Sequence, residues 1–251
     1  MNSSTKYLFE FTSNGYSDEK KNIIKFLISR LQFLKGKNIF LDIGSGDGSI
    51  TNAIGHFFKK IIIIEPNKTS YNFLIKTIGQ RNRKFRVIQK KWEEVNLKQK
   101  PDLILCSHAL YYFPNEQIVE LVKKMYGKLK NTGELVIIIN TPRTRFLYLL
   151  KKCFKNINKP VVRWIDTNLI ETKFRAEFCC VEKHKIKSKI FTNSKKKLVD
   201  LLYSLTGAGN AIDRSYIIKE IIKSLPSKFG VNKLYTYPIS SDVYIITKKG
   251  K

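Results

Sequence analysis

Short runs of consecutive apolar residues alternate along this chain with stretches in which apolar positions recur every three or four residues. The runs at 39–43, 61–64, 101–106 and 134–140 are too short for helices and carry no polar alternation, the pattern of strands buried on both faces; a weaker strand follows at 86–89. Helical spacing fills the gaps: from Ser17 through Ile23, Ile24, Leu27 and Leu31, then 50–58, 71–78 and 117–130. Ser17 offers an N-cap with Asp18 and Glu19 in the first turn, and Asn131-Thr132-Gly133 stops the 117–130 helix. Further on, the pattern predicts helices at 167–174, 195–205 and 216–225 and strands at 180–191 and 242–248. Gly207-Ala208-Gly209-Asn210 reads as a helix-ending turn, because no apolar strand precedes it. Strand and helix in alternation predict an α/β fold, with a Rossmann-like parallel sheet flanked by helices.

The run at 39–43 contains Asp42 and leads into Gly44-Ser45-Gly46-Asp47-Gly48, with a helix beginning near Ser49. Glycines suit a sharp strand-to-helix turn and let a ligand approach the main chain with no Cβ between. The helix start offers unpaired N–H groups to that ligand. The next apolar run ends in Glu65, where a carboxylate can take both hydroxyls of a ribose. A dinucleotide loop reads G-x-G-x-x-G and holds a diphosphate; here the spacing is G-x-G-x-G, and Asp42 would repel a diphosphate while suiting a cationic amino group.

This stretch resembles motif I of the class I S-adenosylmethionine-dependent methyltransferases, with Asp42, Gly44, Gly46 and Gly48 on the motif's positions and Glu65 on its ribose-binding acid. The resemblance implies the class I methyltransferase fold, a seven-stranded, mostly parallel sheet with the last strand inserted antiparallel. It implies S-adenosylmethionine as cofactor, S-adenosylhomocysteine as product and no metal. The cofactor site it implies comprises Asp42, Gly44, Ser45, Gly46, Glu65, Pro66, Trp92, Ser107 and His108. Trp92 would then stack on the adenine; read on its own, it is a core tryptophan under the loop.

Ligands of open α/β sheets sit beyond the carboxyl ends of strands, so Ser107-His108-Ala109-Leu110-Tyr111-Tyr112-Phe113-Pro114, after the 101–106 run, faces the reacting methyl. No Asn-Pro-Pro-Tyr tetrapeptide stands there, which argues against methylation of the exocyclic amines of bases. The segment is similar to small-molecule methyltransferases, and its D-x-I-x-x-x-x-x-L-Y-Y layout resembles histamine N-methyltransferase, where a glutamine holds the place of His108 and paired tyrosines line the acceptor pocket. This resemblance implies an acceptor pocket of Tyr111 and Tyr112, with Tyr7, Phe11 and Tyr16 from an N-terminal lid and Glu19 as a substrate-binding acid. His108 is either the proton acceptor or a residue that shapes the pocket. The expected reaction moves a methyl group to a nitrogen, or an oxygen, of a small-molecule acceptor such as an amine. The alternatives are an RNA methyltransferase and a non-catalytic S-adenosylmethionine-binding protein.

At 251 residues the chain is expected to form a single domain: an N-terminal segment at 1–35, a cofactor-binding core at 36–140, and a C-terminal half at 141–251 with a helical cap. No apolar run reaches the length of a membrane span and MNSSTKYLFE carries no leader pattern, so a cytoplasmic location is expected. Cys106, Cys153, Cys179 and Cys180 lack metal-ligand spacing and read as buried thiols. The net charge of +27 is the one abnormal bulk property. Lysines spread over nearly every segment suggest compositional bias, and a nucleic-acid partner is the alternative. Lys183, Lys185, Lys187 and Lys189 alternate along one strand, either to protect a sheet edge or to meet phosphates.

Overall fold

A computed structural model of the chain describes residues 16–79, 84–141, 165, 167–205, 214–225 and 235–248. Seven strands form one sheet: β1 (Ile39–Ile43), β2 (Lys60–Ile64), β3 (Phe85–Ile88), β4 (Leu103–Ser107), β5 (Glu134–Asn140), β6 (Cys180–Thr192) and β7 (Tyr235–Thr247), in the order β3-β2-β1-β4-β5-β7-β6. The ladders β1/β2, β1/β4, β2/β3 and β4/β5 are parallel. The sheet is therefore mixed and mostly parallel, with the last strand lying between β5 and β6. Strand order reverses between β1 and β4, which opens a crevice beyond their carboxyl ends.

Among the described residues the helices are α1 (Glu19–Leu31), α2 (Ser49–Gly55), α3 (Lys68–Leu74), α4 (Ile118–Lys128), α5 (Thr167–Glu177), α6 (Lys195–Leu205) and α7 (Arg214–Ser224). None is long and apolar enough to cross a membrane. The unbroken apolar runs are explained by burial on both faces. Leu41, Ile43, Ile62, Ile64, Ile104 and Cys106 pack with Trp92, Leu121, Val122, Met125 and Phe174, while Phe40 meets Phe58 at 5.2 Å between ring centroids. Each such aliphatic side chain contributes about 1.5–3 kcal/mol relative to exposure. Asp102 fixes the start of β1: its Oδ2 accepts the amides of Asn38 and Ile39, and its Oδ1 accepts Lys130 Nζ at 2.8 Å.

Several boundaries differ from the pattern. α2 ends at Gly55 rather than at 58, because the amides of Phe57 and Phe58 turn back onto Ile54 and Gly55. α3 starts earlier than expected, at an Asn67 cap whose side chain accepts the amides of Thr69 and Ser70, and closes in a π turn at Ile75–Gly79. β7 begins at Tyr235, where Pro238 and two serines had masked the strand.

The chain divides into two compact units. One comprises 23–139, 165–185 and 242–251; the other comprises 1–22, 140–164 and 186–241. In the second unit the main chain of residues 16–18 pairs with β6. Phe191 donates to Tyr16 O at 2.8 Å, Asp18 donates to Lys189 O at 3.3 Å, and Ser17 bridges Ile190. That pairing meets the hydrogen-bonding demand of this stretch of β6 without help from the lysines.

The cysteines depart from expectation: Cys106 is buried, but Cys179 is exposed and Cys180 half-buried, because both lie where α5 gives way to β6. Cys153 and the turn at 207–210 lie outside the described residues.

Candidate active site

The β1 exit is built on left-handed backbone. Gly44, Gly46 and Gly48 have φ of 71°, 59° and 70°, conformations costly to any residue with a Cβ. Their surroundings differ. A Cβ on Gly44 would lie 2.6 Å from that of Ala109, and one on Gly48 would lie 2.6 Å from Leu74 Cδ2. A Cβ on Gly46 meets nothing within 4 Å. Packing holds Gly44 and Gly48, while Gly46 borders open space where a ligand can approach the main chain.

Two buried acids flank the loop. Glu65, after β2, accepts the Gly46 amide on Oε2 and the Asn67 amide on Oε1, each at 3.0 Å. Burial raises its pKa, and the two amide bonds oppose the rise. Lone pairs remain on both oxygens for further donors. Asp42, 2% exposed, accepts the Thr51 hydroxyl, which ties β1 to α2. Burial pushes its pKa up to about 7; the Thr51 bond acts against the shift and the charge of Glu65 adds to it. A cation bound beside Asp42 would draw off its proton.

The second wall comes from the exit of β4. His108 donates its amide to Ile138 O at 2.8 Å, extending the β4/β5 ladder by one bond, and then turns the chain with φ 53°. The turn sets Ala109 against Gly44, buries Leu110, and starts a single helical turn, Leu110–Tyr112. Tyr111 Oη lies 3.4 Å from His108 Nδ1, and the two rings are inclined by 24°. The hydroxyl oxygens of Ser45 and Ser107 are buried and have no hydrogen-bond partner among the described residues. Buried hydroxyls in that state call for a polar partner, an ordered water or a ligand.

Asp42, Gly44, Ser45, Gly46, Glu65, Ser107 and His108 thus converge at the ends of β1, β2 and β4 within one unit. Pro66 is exposed beside them. Trp92 does not present a ring to an adenine, which corrects the stacking expectation. It lies in a one-turn helix, Trp92–Glu94, that rolls the indole into the core, 1% exposed, with Nε1 donating to Leu121 O at 3.4 Å. Lys124 closes over it, its Nζ 5.1 Å from the ring centroid.

Tyr112 is 77% exposed, and Tyr111 turns toward His108. Tyr16 and Glu19 belong to the other unit, where Tyr16 meets Lys197 and Glu19 accepts the Ser241 hydroxyl. Tyr7 and Phe11 lie outside the described residues. Sequence reasoning missed Thr51, Asn67 and Ala109. Of these, only Asn67 carried a local signal, as a helix cap. Among the described residues no group of His, Cys, Asp or Glu could hold a metal ion.

Residues 40–133 match a family described as a methyltransferase domain. The fold is shared with solved structures. An S-adenosylmethionine-dependent methyltransferase from Archaeoglobus fulgidus aligns with TM-score 0.56 and 17% identity over 96% of this chain and 99% of its own. The YcgJ protein from Bacillus subtilis aligns with TM-score 0.64 and 16% identity over 90% and 98%. The N-methyltransferase NodS from Bradyrhizobium japonicum, solved with S-adenosylhomocysteine, aligns with TM-score 0.55 and 12% identity over 92% and 87%. No curated protein sequence matches the chain.

Proposed function

From a methyltransferase domain set in the class I methyltransferase fold, we propose that this enzyme transfers a methyl group from S-adenosylmethionine to a nitrogen of a small-molecule acceptor, an amine being the favoured class. One observation carries the reading: Gly46 has an open face beside the braced carboxylate of Glu65, at the strand ends where the buried hydroxyls of Ser45 and Ser107 have no hydrogen-bond partner among the described residues. These residues fit the cofactor. Glu65 would take the ribose hydroxyls, Asp42 the methionine ammonium, and the two serines its remaining polar groups.

S-adenosylmethionine supplies a methyl already activated by the positive charge on sulfur. The protein is left to align the acceptor nitrogen and exclude water. His108 would take a proton from an acceptor that arrives as an ammonium ion, and Tyr111 and Tyr112 would line its approach, tyrosine faces suiting a cationic amine. The test is calorimetric titration with S-adenosylmethionine, S-adenosylhomocysteine and NAD. Binding of the two sulfur compounds but not NAD supports the reading, and binding of NAD alone sinks it. Methyl transfer from labelled donor to a panel of amines then tests the acceptor.

A second reading, an RNA acceptor, is favoured by one feature. Lys185, Lys187 and Lys189 are exposed on one side of β6, with no ion-pair partner among the described residues, on a strand whose neighbouring main chain is already paired. It requires salt-sensitive RNA binding whose slope falls by about 2 when the three lysines become glutamine, at about 0.7 per phosphate for single strands.

A further inference from the structure

We propose that Tyr111 is a positioning residue: its hydroxyl accepts a hydrogen bond from Nδ1–H of His108 and so selects the imidazole tautomer whose Nε2 offers a lone pair to the acceptor. The acceptor in this step is the amine of the methyl-transfer reading above.

Three features of the β4 exit point to a histidine kept for its side chain. The backbone at His108 is left-handed, φ 53°, the one non-glycine residue with positive φ among those described. Histidine tolerates that region better than most residues, yet a glycine would adopt it without strain. The turn is also clamped from both sides, by the His108 amide on Ile138 O and by Ala109 against Gly44, so the imidazole has a fixed root beside the glycine loop. Finally, the single helical turn Leu110–Tyr112 returns the chain so that the residue three positions on comes back to the imidazole. Tyr111 Oη then lies 3.4 Å from Nδ1, the long end of hydrogen bonding and a distance of the kind that shortens when substrate binds.

A phenol can donate to Nδ1 or accept from it. If it donated, Nε2 would already carry hydrogen and could take no proton. If it accepts, the proton sits on Nδ1 and the lone pair on Nε2, and only this arrangement serves an acceptor that arrives as an ammonium ion. In the step, an N–H bond of the ammonium breaks and an Nε2–H bond forms. The electron pair of the broken bond stays on the acceptor nitrogen as the nucleophilic pair. The imidazolium carries the charge, its Nδ1–H still held by Tyr111 Oη.

The tautomer is directly observable. The chain has three histidines, His56, His108 and His184, so replacing His56 and His184 one at a time with glutamine assigns all three in a long-range proton–nitrogen correlation spectrum of labelled protein. Recorded at alkaline pH, where imidazole is neutral, the wild-type spectrum should show His108 protonated on Nδ1 and bare on Nε2. Tyr111→Phe should return it to the Nε2–H form that a free imidazole side chain prefers. An Nε2–H form in the wild type overturns the proposal, whatever the variant does, and so does a spectrum unchanged by Tyr111→Phe.

A companion measurement tests the strained root. His108→Gly should melt about 2–4 °C above His108→Ala, as expected for relief of roughly 1 kcal/mol in a domain of this size. Equal melting would show that the relief of left-handed strain does not exceed the chain entropy that glycine adds to the unfolded state, and the argument from a strained root would fall. Neither measurement uses the acceptor or the cofactor. Loss of the methyl-transfer reading would instead appear as absent S-adenosylmethionine binding.

Discussion

Gly44 and Gly46 share a left-handed backbone but not a neighbourhood, and alanine at each should therefore fail differently. At Gly44 the new Cβ would lie 2.6 Å from Ala109 Cβ, and neither carbon can rotate away. Left-handed strain costs about 1–2 kcal/mol, overpacking adds about 1–3 kcal/mol, and the stiffer unfolded chain offsets about 0.4–1 kcal/mol. The net loss is about 1–4 kcal/mol, a fall of roughly 2–16 °C in melting temperature at about 2–4 °C per kcal/mol. At Gly46 nothing stands within 4 Å, so only the strain applies and the melting temperature should fall by a few degrees at most. Affinity should run the other way. The Gly46 methyl enters the space assigned to the cofactor, and S-adenosylmethionine binding should weaken by about tenfold or more, the 1.4 kcal/mol of a modest clash.

Thermal unfolding without ligand and calorimetric titration with S-adenosylmethionine separate the two effects. A second-site change sharpens the test. Ala109→Gly removes the opposing carbon, at a cost of about 0.8 kcal/mol for a buried methyl, and should recover most of the overpacking loss in the Gly44→Ala background while leaving the strain. If Gly44→Ala melts with Gly46→Ala, or if Ala109→Gly recovers nothing, the contact between the glycine loop and the β4 turn is not what holds the site together.

Three further outcomes follow from the same geometry. The Asp42 carboxyl titrates at about 7 in the fold, above its unfolded value, so the native state holds the proton more tightly than the unfolded chain does. Stability should then decline as pH rises from about 4 to about 7, by at most about 4 kcal/mol at 1.36 kcal/mol per pH unit. Asp42→Asn should lack this decline, and parallel melting-versus-pH profiles for the two proteins would refute the assignment. Glu65→Gln should weaken S-adenosylmethionine by roughly 10–100-fold through loss of a charged acceptor, and Glu65→Ala should also lower the melting temperature, because the Gly46 and Asn67 amides lose their acceptor; unchanged affinity in calorimetry would remove the ribose role. Trp92→Ala should destabilise the fold by about 3–5 kcal/mol, while Trp92→Phe leaves cofactor affinity unchanged; a selective loss of affinity in the phenylalanine variant would restore the adenine contact.

β1, β2, β4 and β5 were legible because each is buried along nearly its whole length and so writes an apolar run into the sequence, whereas β3, at the edge of the sheet, is only half-buried and wrote a weaker one. Asp42, the three glycines and Glu65 were legible for a related reason: their positions at strand ends are fixed locally, by a turn and a helix start. Thr51 had no such signature. Its hydroxyl matters because α2 packs over β1 and brings it to Asp42, a relation nine residues apart that no period records. Trp92 failed in the opposite direction. It follows the end of β3 by four residues, and there a single turn of tight helix places its side chain in the core.

The paired tyrosines show where reading by resemblance stops. As neighbours in sequence, Tyr111 and Tyr112 look like one feature of an acceptor wall. Consecutive residues of a three-residue turn, however, point about 120° apart, and the turn Leu110–Tyr112 has Leu110 buried, Tyr111 beside His108 and Tyr112 in the open. The two phenols therefore meet different demands. Tyr111 has a geometric partner whose protonation it can govern, whereas Tyr112 offers a face and a hydroxyl to whatever approaches. What the turn divides is set by the φ of His108, the one left-handed residue at the site that no glycine announces. A glycine at that position would have been read as a turn, and a histidine there reads as a reagent. The backbone shows the turn, and the proposed tautomer is what would make the same residue a reagent.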